Sequence, residues 1–321
     1  MTTPNEALDI ERRRRDEAEA EAAEIDATPV RTFWQLVRRR FLQHRLAVVA
    51  LIVLCSLVMI AVVIPPVTGR GWELTNIGRS YDPPEIFSET GQFTGAIMGY
   101  NYLGRNAFAR LAKGTQTSLI VGAAAVLVII IIGVAIGSIA GYVGGWVDNV
   151  LMRLVDVMLS LPVLFIVLMV VSFFGQGSVT VIIFAIGLTG WTTAARLVRA
   201  EFLSLREVDY VQAARALGAS PRRIILRHML PPAMAPIVVA ATLGIADSVV
   251  TESALSFLGF GILPPEASLG NMLQEARDRF FTEPFLVVPP GIMLILIVLS
   301  ASFLGDGLRD ALDPRQRIAA K

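Results

Sequence analysis

The residues of this chain that could do chemistry fall in two places. In residues 206–231, Asp209, Gln212, Gly218, Ser220 and Pro221 stand at the spacings of helix caps, among Arg206, Arg215, Arg222, Arg223 and Arg227. Further on, Asp247 and Glu252 lie inside a long apolar run. Asp209 followed by Gln212 predicts a capping box, in which the acid accepts a backbone N–H and the amide reaches back. Gly218 predicts the left-handed residue just past a helix end. Together they bound a helix over about 210–217, roughly 12 Å long. Ser220 is then a second N-cap, and Pro221 a first helical residue whose missing N–H costs nothing there. Ala213, Ala214 and Ala216 keep the first helix low in profile, fit to enter a groove on another protein. The chemistry predicted for this segment is mechanical: a short stub, a fixed turn, and a second helix leading into the next apolar run.

Asp247 and Glu252 call for a different reading. From the start of their run they stand roughly 22–30 Å along a helix. Ionisable groups at membrane depth are costly and face a cavity or a partner. They either line a path, where they would attract a cationic peptide terminus, or pair with a basic group on a neighbouring helix. Covalent chemistry has no comparable support. An intramembrane hydrolase needs a nucleophile and a base at depth, but His44 and His228 both fall at the edges of apolar runs. Neither histidine has a ligand cluster, so no metal site is expected. Lys113 and Lys321 each follow alanine, so there is no Gly-Lys-Ser/Thr phosphate loop and no cofactor is expected in this chain. The one cysteine, Cys55, reads as a small packing residue.

The elements that must position these residues are membrane helices. The chain has 321 residues, 54% of them hydrophobic, and a mean hydropathy of +0.63. Crossing ~30 Å of hydrocarbon takes roughly 20 apolar residues. Six such spans are expected, near 46–65, 117–142, 157–174, 178–198, 232–257 and 284–305, the third and fourth separated by GQGS at 175–178. Alternating barrel strands are absent, which leaves a helix bundle, each helix satisfying its own backbone. The first apolar run starts only at 46 and has no cleavage pattern, so it is read as a span and not as a signal peptide.

Charge sets the expected orientation. Residues 196–231 hold seven arginines, and Arg31, Arg38, Arg39, Arg40 and Arg45 precede the first span. The positive-inside rule puts both, and so both termini, in the cytoplasm. The five basic residues of 66–116 argue the other way, but long loops cross largely regardless of charge. Residues 1–30 read as a charged cytoplasmic tail. Residues 31–45 place Phe33, Leu36, Val37, Phe41 and Leu42 at helical spacing among arginines, which predicts an amphipathic helix on the lipid surface. The permease domain is expected over 46–305, with a second cytoplasmic tail over 306–321. Gly133, Gly137 and Gly141, with Gly145 four further on, make a stripe that lets another backbone approach, in this chain or in a partner. Membrane lipid is an expected partner and nucleic acid is not.

Residues 212–231 resemble the cytoplasmic EAA signature of binding-protein-dependent ABC importer permeases, through Gln212, Ala213, Ala214, Gly218, Leu230 and Pro231. Gln212 stands where the pattern has glutamate and His228 where it has isoleucine. Further blocks narrow the resemblance to the dipeptide, oligopeptide and nickel permease family, in its C-type subunit. They are YLGRNAFARLAKGTQTSLIVG at 102–122, VDNVLMRLVDVMLSLPVLFIVLMV at 147–170, ESALSFLGFG at 252–261, SLGNMLQEAR at 268–277 and FLGDGLRDALDPR at 303–315. The resemblance implies an all-α, six-span importer fold of type I in the bacterial inner membrane. It implies that Asp209–Pro221 couples the spans to ATPases that bind ATP and magnesium. It also implies a homologous B-type permease as heterodimer partner, two ATPase subunits and an extracytoplasmic substrate-binding protein. The cargo implied is a di- or oligopeptide, with nickel or another chelate as the alternative within the family. An ion-coupled secondary transporter is the rival outside it, but no internal repeat supports that.

Overall fold

The computed structural model describes residues 33–87 and 93–312. The expected 1–30 tail and residues 313–321 lie outside the described residues. Helix α1 (Phe33–Gln43) is the expected amphipathic helix. It stops at His44, whose Nδ1 accepts the Ala47 N–H at 3.1 Å and so caps α2 (Arg45–Val67). A mostly irregular segment follows, carrying the short antiparallel pair β1 (Glu85–Phe87) and β2 (Phe93–Ala96). Asn106 caps α3 (Ala107–Val143) by accepting the Ala109 N–H. The remaining elements are α4 (Gly145–Ser160), α5 (Val163–Phe174), α6 (Val179–Arg206), α7 (Asp209–Ala216), α8 (Pro221–Phe257), α9 (Leu269–Ala276) and α10 (Pro284–Leu312). Helices α2, α3, α6, α8 and α10 are long and apolar enough to cross a membrane.

The third expected span takes another form. Residues 157–174 do not make one straight helix: α4 and α5 meet at a bend of 88°. Pro162 causes the break. It has no N–H to give the helix, its ring crowds the preceding turn, and it drives Leu161 into extended backbone (φ −96°, ψ 136°). The 12 residues of α5 reach only about 18 Å, short of a full crossing by themselves. The second helix of the basic segment leads into the fifth span as expected, and the two form one unbroken element, α8, from Pro221. Ile224–Met229 widens into a π turn, with the Leu230 N–H bonding to the Ile225 carbonyl. That wide turn makes room for Pro231 and Pro232, which cannot donate to a regular ladder.

The core is built on α3 against α6. Gly133, Gly137 and Gly141 all face α6 within this chain, which settles which neighbour the stripe serves. A Cβ at Gly133 would stand 2.6 Å from Ala194 Cβ, one at Gly137 2.5 Å from the Ala195 carbonyl oxygen, and one at Gly141 2.5 Å from Phe202 Cβ. The stripe ends there, because α3 stops at Val143 and Gly145 faces open space. Helix α6 answers with Gly187 and Gly190, which take the side chains of Val128 and Ile129. One apolar cluster joins α3, α5, α6 and α8 through Val121, Val171, Ile182 and Leu255. Another joins α2, α3, α8, α9 and α10 through Leu57, Leu111, Val249, Leu269 and Ile297.

Gly137→Val is expected to destabilise the folded protein by about 1–3 kcal/mol or more, because the backbones must separate to admit it. Gly291→Ala meets nothing closer than 4.0 Å and is expected to be neutral. Thermal denaturation of the two purified variants in one detergent checks the contrast.

Candidate functional site

The coupling candidate is α7 with its flanks. Helix α7 begins one residue earlier than its acid suggests: the N-cap is Val208, and no side chain caps it. Asp209 is therefore the first helical residue, where a negative charge still suits the helix dipole. The expected capping box is absent. Gln212 instead donates its Nε2 to the Glu207 carbonyl at 3.1 Å, which ties the helix to the end of α6. The C-terminal end follows the sequence reading. Gly218 has φ +77°, its N–H bonds to the Arg215 carbonyl, and the Ala219 N–H bonds to the Ala214 carbonyl. That pair of bonds is a Schellman closure. Ser220 occupies the N-cap position of α8 with Pro221 at its first turn, but the serine side chain makes no capping hydrogen bond.

One side of α7 is anchored and the rest is free. Val211 is fully buried, in a cluster with Val198 and Phe202 of α6 and Ile224, Met229, Ala233 and Ile237 of α8. The Arg215 guanidinium lies 5.3 Å from the centre of the Tyr142 ring, at the end of α3. Tyr210 donates its hydroxyl to the His228 carbonyl at 3.3 Å. Gln212, Ala213, Ala216 and Gly218 are exposed, and Leu217 stands 88% exposed beside them. Sequence reasoning missed Val211, Leu217 and Tyr142. An apolar residue one position before Gln212 and another just before Gly218 were the available signals for the first two. Nothing local could point to Tyr142.

Helix α4 is held to the same end of the bundle. Arg199 of α6 clasps both carboxylate oxygens of Asp148, and Arg196 reaches Asp156 at 2.6 Å. Arg199 and Arg196, read from the sequence only as topology signals, are thus also struts between α4 and α6.

Asp247 and Glu252 are not together. Asp247 is exposed on the surface of α8. Glu252 is completely buried and meets neither a path nor a basic group. Its Oε1 accepts from Ser256 at 2.7 Å, and its Oε2 accepts from Ser118 of α3 at 2.8 Å and from Ser253 at 3.3 Å. Ser256 Oγ also accepts the Ile262 N–H, and Ser118 Oγ accepts the Leu269 N–H at the start of α9. The Ser256 and Ser118 hydroxyls thus each accept a backbone N–H on one side and donate to the carboxylate on the other. The acid fastens α3, α8 and the 258–269 segment together.

Comparison with known proteins identifies the family. A family model described as binding-protein-dependent transport system inner membrane component matches residues 133–318. The chain belongs to that family. A second model, the N-terminal TM domain of oligopeptide transport permease C, matches residues 32–84. The chain is 37% identical to the oligopeptide transport system permease protein OppC of Escherichia coli, over 89% of this chain and 93% of that one. It is 36% identical to the dipeptide transport system permease protein DppC of Alkalihalophilus pseudofirmus, over 88% and 90% of the two chains. The glutathione transport system permease protein GsiD of Pectobacterium atrosepticum is 37% identical over 90% of this chain and 92% of its own length. The fold is also that of the membrane subunit in an inward-facing structure of the methionine ABC transporter MetNI. The match has a TM-score of 0.53 at 19% identity, over 64% of this chain and 96% of that one. The family match begins within α3 and takes in α7, Asp247 and Glu252.

Glu252→Ala is expected to cost on the order of 2–3 kcal/mol, since it removes the acceptor of serine hydroxyls that are buried in the protein. Asp247→Ala should cost far less. Melting curves of the two purified variants, taken side by side, test this difference.

Proposed function

We propose that this chain is the C-type permease subunit of an ATP-driven importer of short peptides, lying in a bacterial cytoplasmic membrane with both termini and α7 inside. The names of its relatives, which transport dipeptides, oligopeptides and glutathione, support that cargo class. The chain does no chemistry of its own. ATP and magnesium are bound by two partner ATPase subunits, a homologous B-type permease supplies the other half of the path, and an extracytoplasmic binding protein delivers the cargo. The observation that carries the reading is the form of α7. It is a short helix closed at its C-terminal end by Gly218, rooted in the core by Val211, and presenting small side chains and Leu217 outward.

Such a stub can transmit force because its root is continuous with the bundle. Val211 packs on α6 and α8, and Arg215 lies over the end of α3. An ATPase closing on Ala213, Ala216 and Leu217 would therefore push three long helices at once. Asp247, exposed on α8, remains the candidate for lining the path. Glu252 contributes by holding the outer end of α8 rigid.

Replacing Gly218 tests the coupling role. Its left-handed backbone costs a side chain about 1–2 kcal/mol, more when branched at Cβ, while the site itself is open, with nothing within 4 Å. Gly218→Val is therefore expected to insert and assemble, yet to lower ATP-driven uptake of a labelled tripeptide by at least about tenfold. Unchanged uptake in proteoliposomes of the full complex would remove the coupling assignment.

A further inference from the structure

The corner where α1 meets α2 carries positive charge that the described chain does not answer. Residues 33–46 hold four arginines and no acid. Arg38, Arg39 and Arg45 are exposed and form no ion pair among the described residues. On the other side of α1, Leu36, Val37, Arg40 and Phe41 are half-buried. Phe41 and Ala47 pack on the backbone of Gly307 in α10. Helix α10 brings Asp306, Arg309 and Asp310 to the same corner. Asp310 is engaged by His44, Nε2 to Oδ2 at 3.6 Å. Counting Arg40 and Arg309, five arginines share the corner with two aspartates.

The apolar residues fix the depth of this charge in a bilayer. Leu46, Val49, Ile52, Met59 and Val62 of α2 each stand more than half exposed, on the face turned away from the bundle. At 100° per residue Arg45 falls on that same face. The 23 residues of α2 extend roughly 34 Å, slightly more than the ~30 Å of hydrocarbon. Arg45, the first of them, therefore emerges in the headgroup layer, roughly 5–8 Å deep on each side. His44 leaves helical backbone there (φ −82°, ψ 89°), and α1 follows the surface. Its exposed side mixes Arg38 and Arg39 with Leu42, which is 55% exposed. Gly71, just past α2, packs on Asn106 and Ala109 at the start of α3, so the α1–α2 corner lies at the other end, where α3 finishes beside α7.

We propose that the α1–α2 corner binds anionic phospholipid. Arg38, Arg39 and Arg45 meet the headgroup phosphate, and Leu42 and Leu46 lie against the upper part of the acyl chains. A guanidinium presents its donors in a fork that fits phosphate oxygens. A zwitterionic headgroup brings its own cation and leaves the excess charge unanswered, whereas an anionic one cancels it. Free phosphate shares the charge but offers nothing to the exposed leucines. The proposal does not rest on cargo or on coupling to an ATPase.

The test uses the full-length chain purified in a neutral detergent. Phosphatidylglycerol and phosphatidylcholine with identical acyl chains are titrated separately, and bound lipids are counted by native mass spectrometry. Phosphatidylglycerol is expected to bind at least about tenfold more tightly, since each arginine near the headgroups contributes about fivefold. The R38Q/R39Q/R45Q variant should lose that preference and keep its binding of phosphatidylcholine. Its three side chains are exposed, so its melting curve should match the parent's. R222Q/R223Q, which removes two exposed arginines elsewhere, should keep the preference. Inorganic phosphate, added where phosphatidylglycerol saturates, should not displace it. No preference in the parent chain overturns the proposal, whatever the variants do; this is the result expected if the acids of residues 16–26 held these arginines instead. A preference that survives in R38Q/R39Q/R45Q, or is lost equally in R222Q/R223Q, overturns it as well, as does displacement by phosphate.

Discussion

The close approach of α3 to α6 is the contact on which the rest of the molecule depends. Lipid chains are as apolar as leucine, so no hydrophobic force drives membrane helices together, and packing must do it instead. Here the packing is made by subtraction. Gly133, Gly137 and Gly141 remove side chains from α3, Gly187 and Gly190 remove them from α6, and each gap is filled from the other helix. The same two helices end beside α7: α6 runs into it, and Tyr142 of α3 lies under Arg215. If α7 has the coupling role proposed above, a push on it would meet two closely packed helices at once.

Polar groups inside the protein obey one rule at three levels. Glu252 is buried alone and satisfied by serine hydroxyls, which relay backbone N–H groups from the 258–269 segment. Asp148 is paired by both donors of the Arg199 fork. Arg110 shares Glu275 with Asn101 and is left incompletely matched. The first two arrangements close their hydrogen-bond accounts within the chain. The third does not: Nε of Arg110 is buried with no partner among the described residues. Removing one member of a buried pair is far more damaging than the net worth of the pair suggests, because the charge left behind has no water.

Much of the 206–231 segment was legible because its signals are local. A glycine that must be left-handed, a proline that can only start a helix and a run of alanines each act on their own few residues. The readings that shifted were those in which local rules compete. Asp209 and Gln212 carry the letters of a capping box, but the chain enters α7 one residue sooner, and Gln212 finds the Glu207 carbonyl. The 157–174 run is apolar enough for a span, yet Pro162 bends it by 88°. Hydropathy counts side chains, whereas Pro162 acts on the backbone.

The sequence by itself determined that this is a helical membrane protein, where its five long helices fall, that its basic segment holds a short helix closed at Gly218, and which family it resembles. These follow from periodicity, length and charge along the chain, and such properties need no knowledge of neighbours. Tertiary structure alone decided that the glycine stripe serves α6, that Val211 roots the stub, and that Glu252 sits among serines from α3 and α8. It alone decided that Arg110 meets Glu275 across 165 residues of chain. Each of these is a contact between remote segments, and its energy depends on separations of a few ångströms that no spacing along the chain encodes.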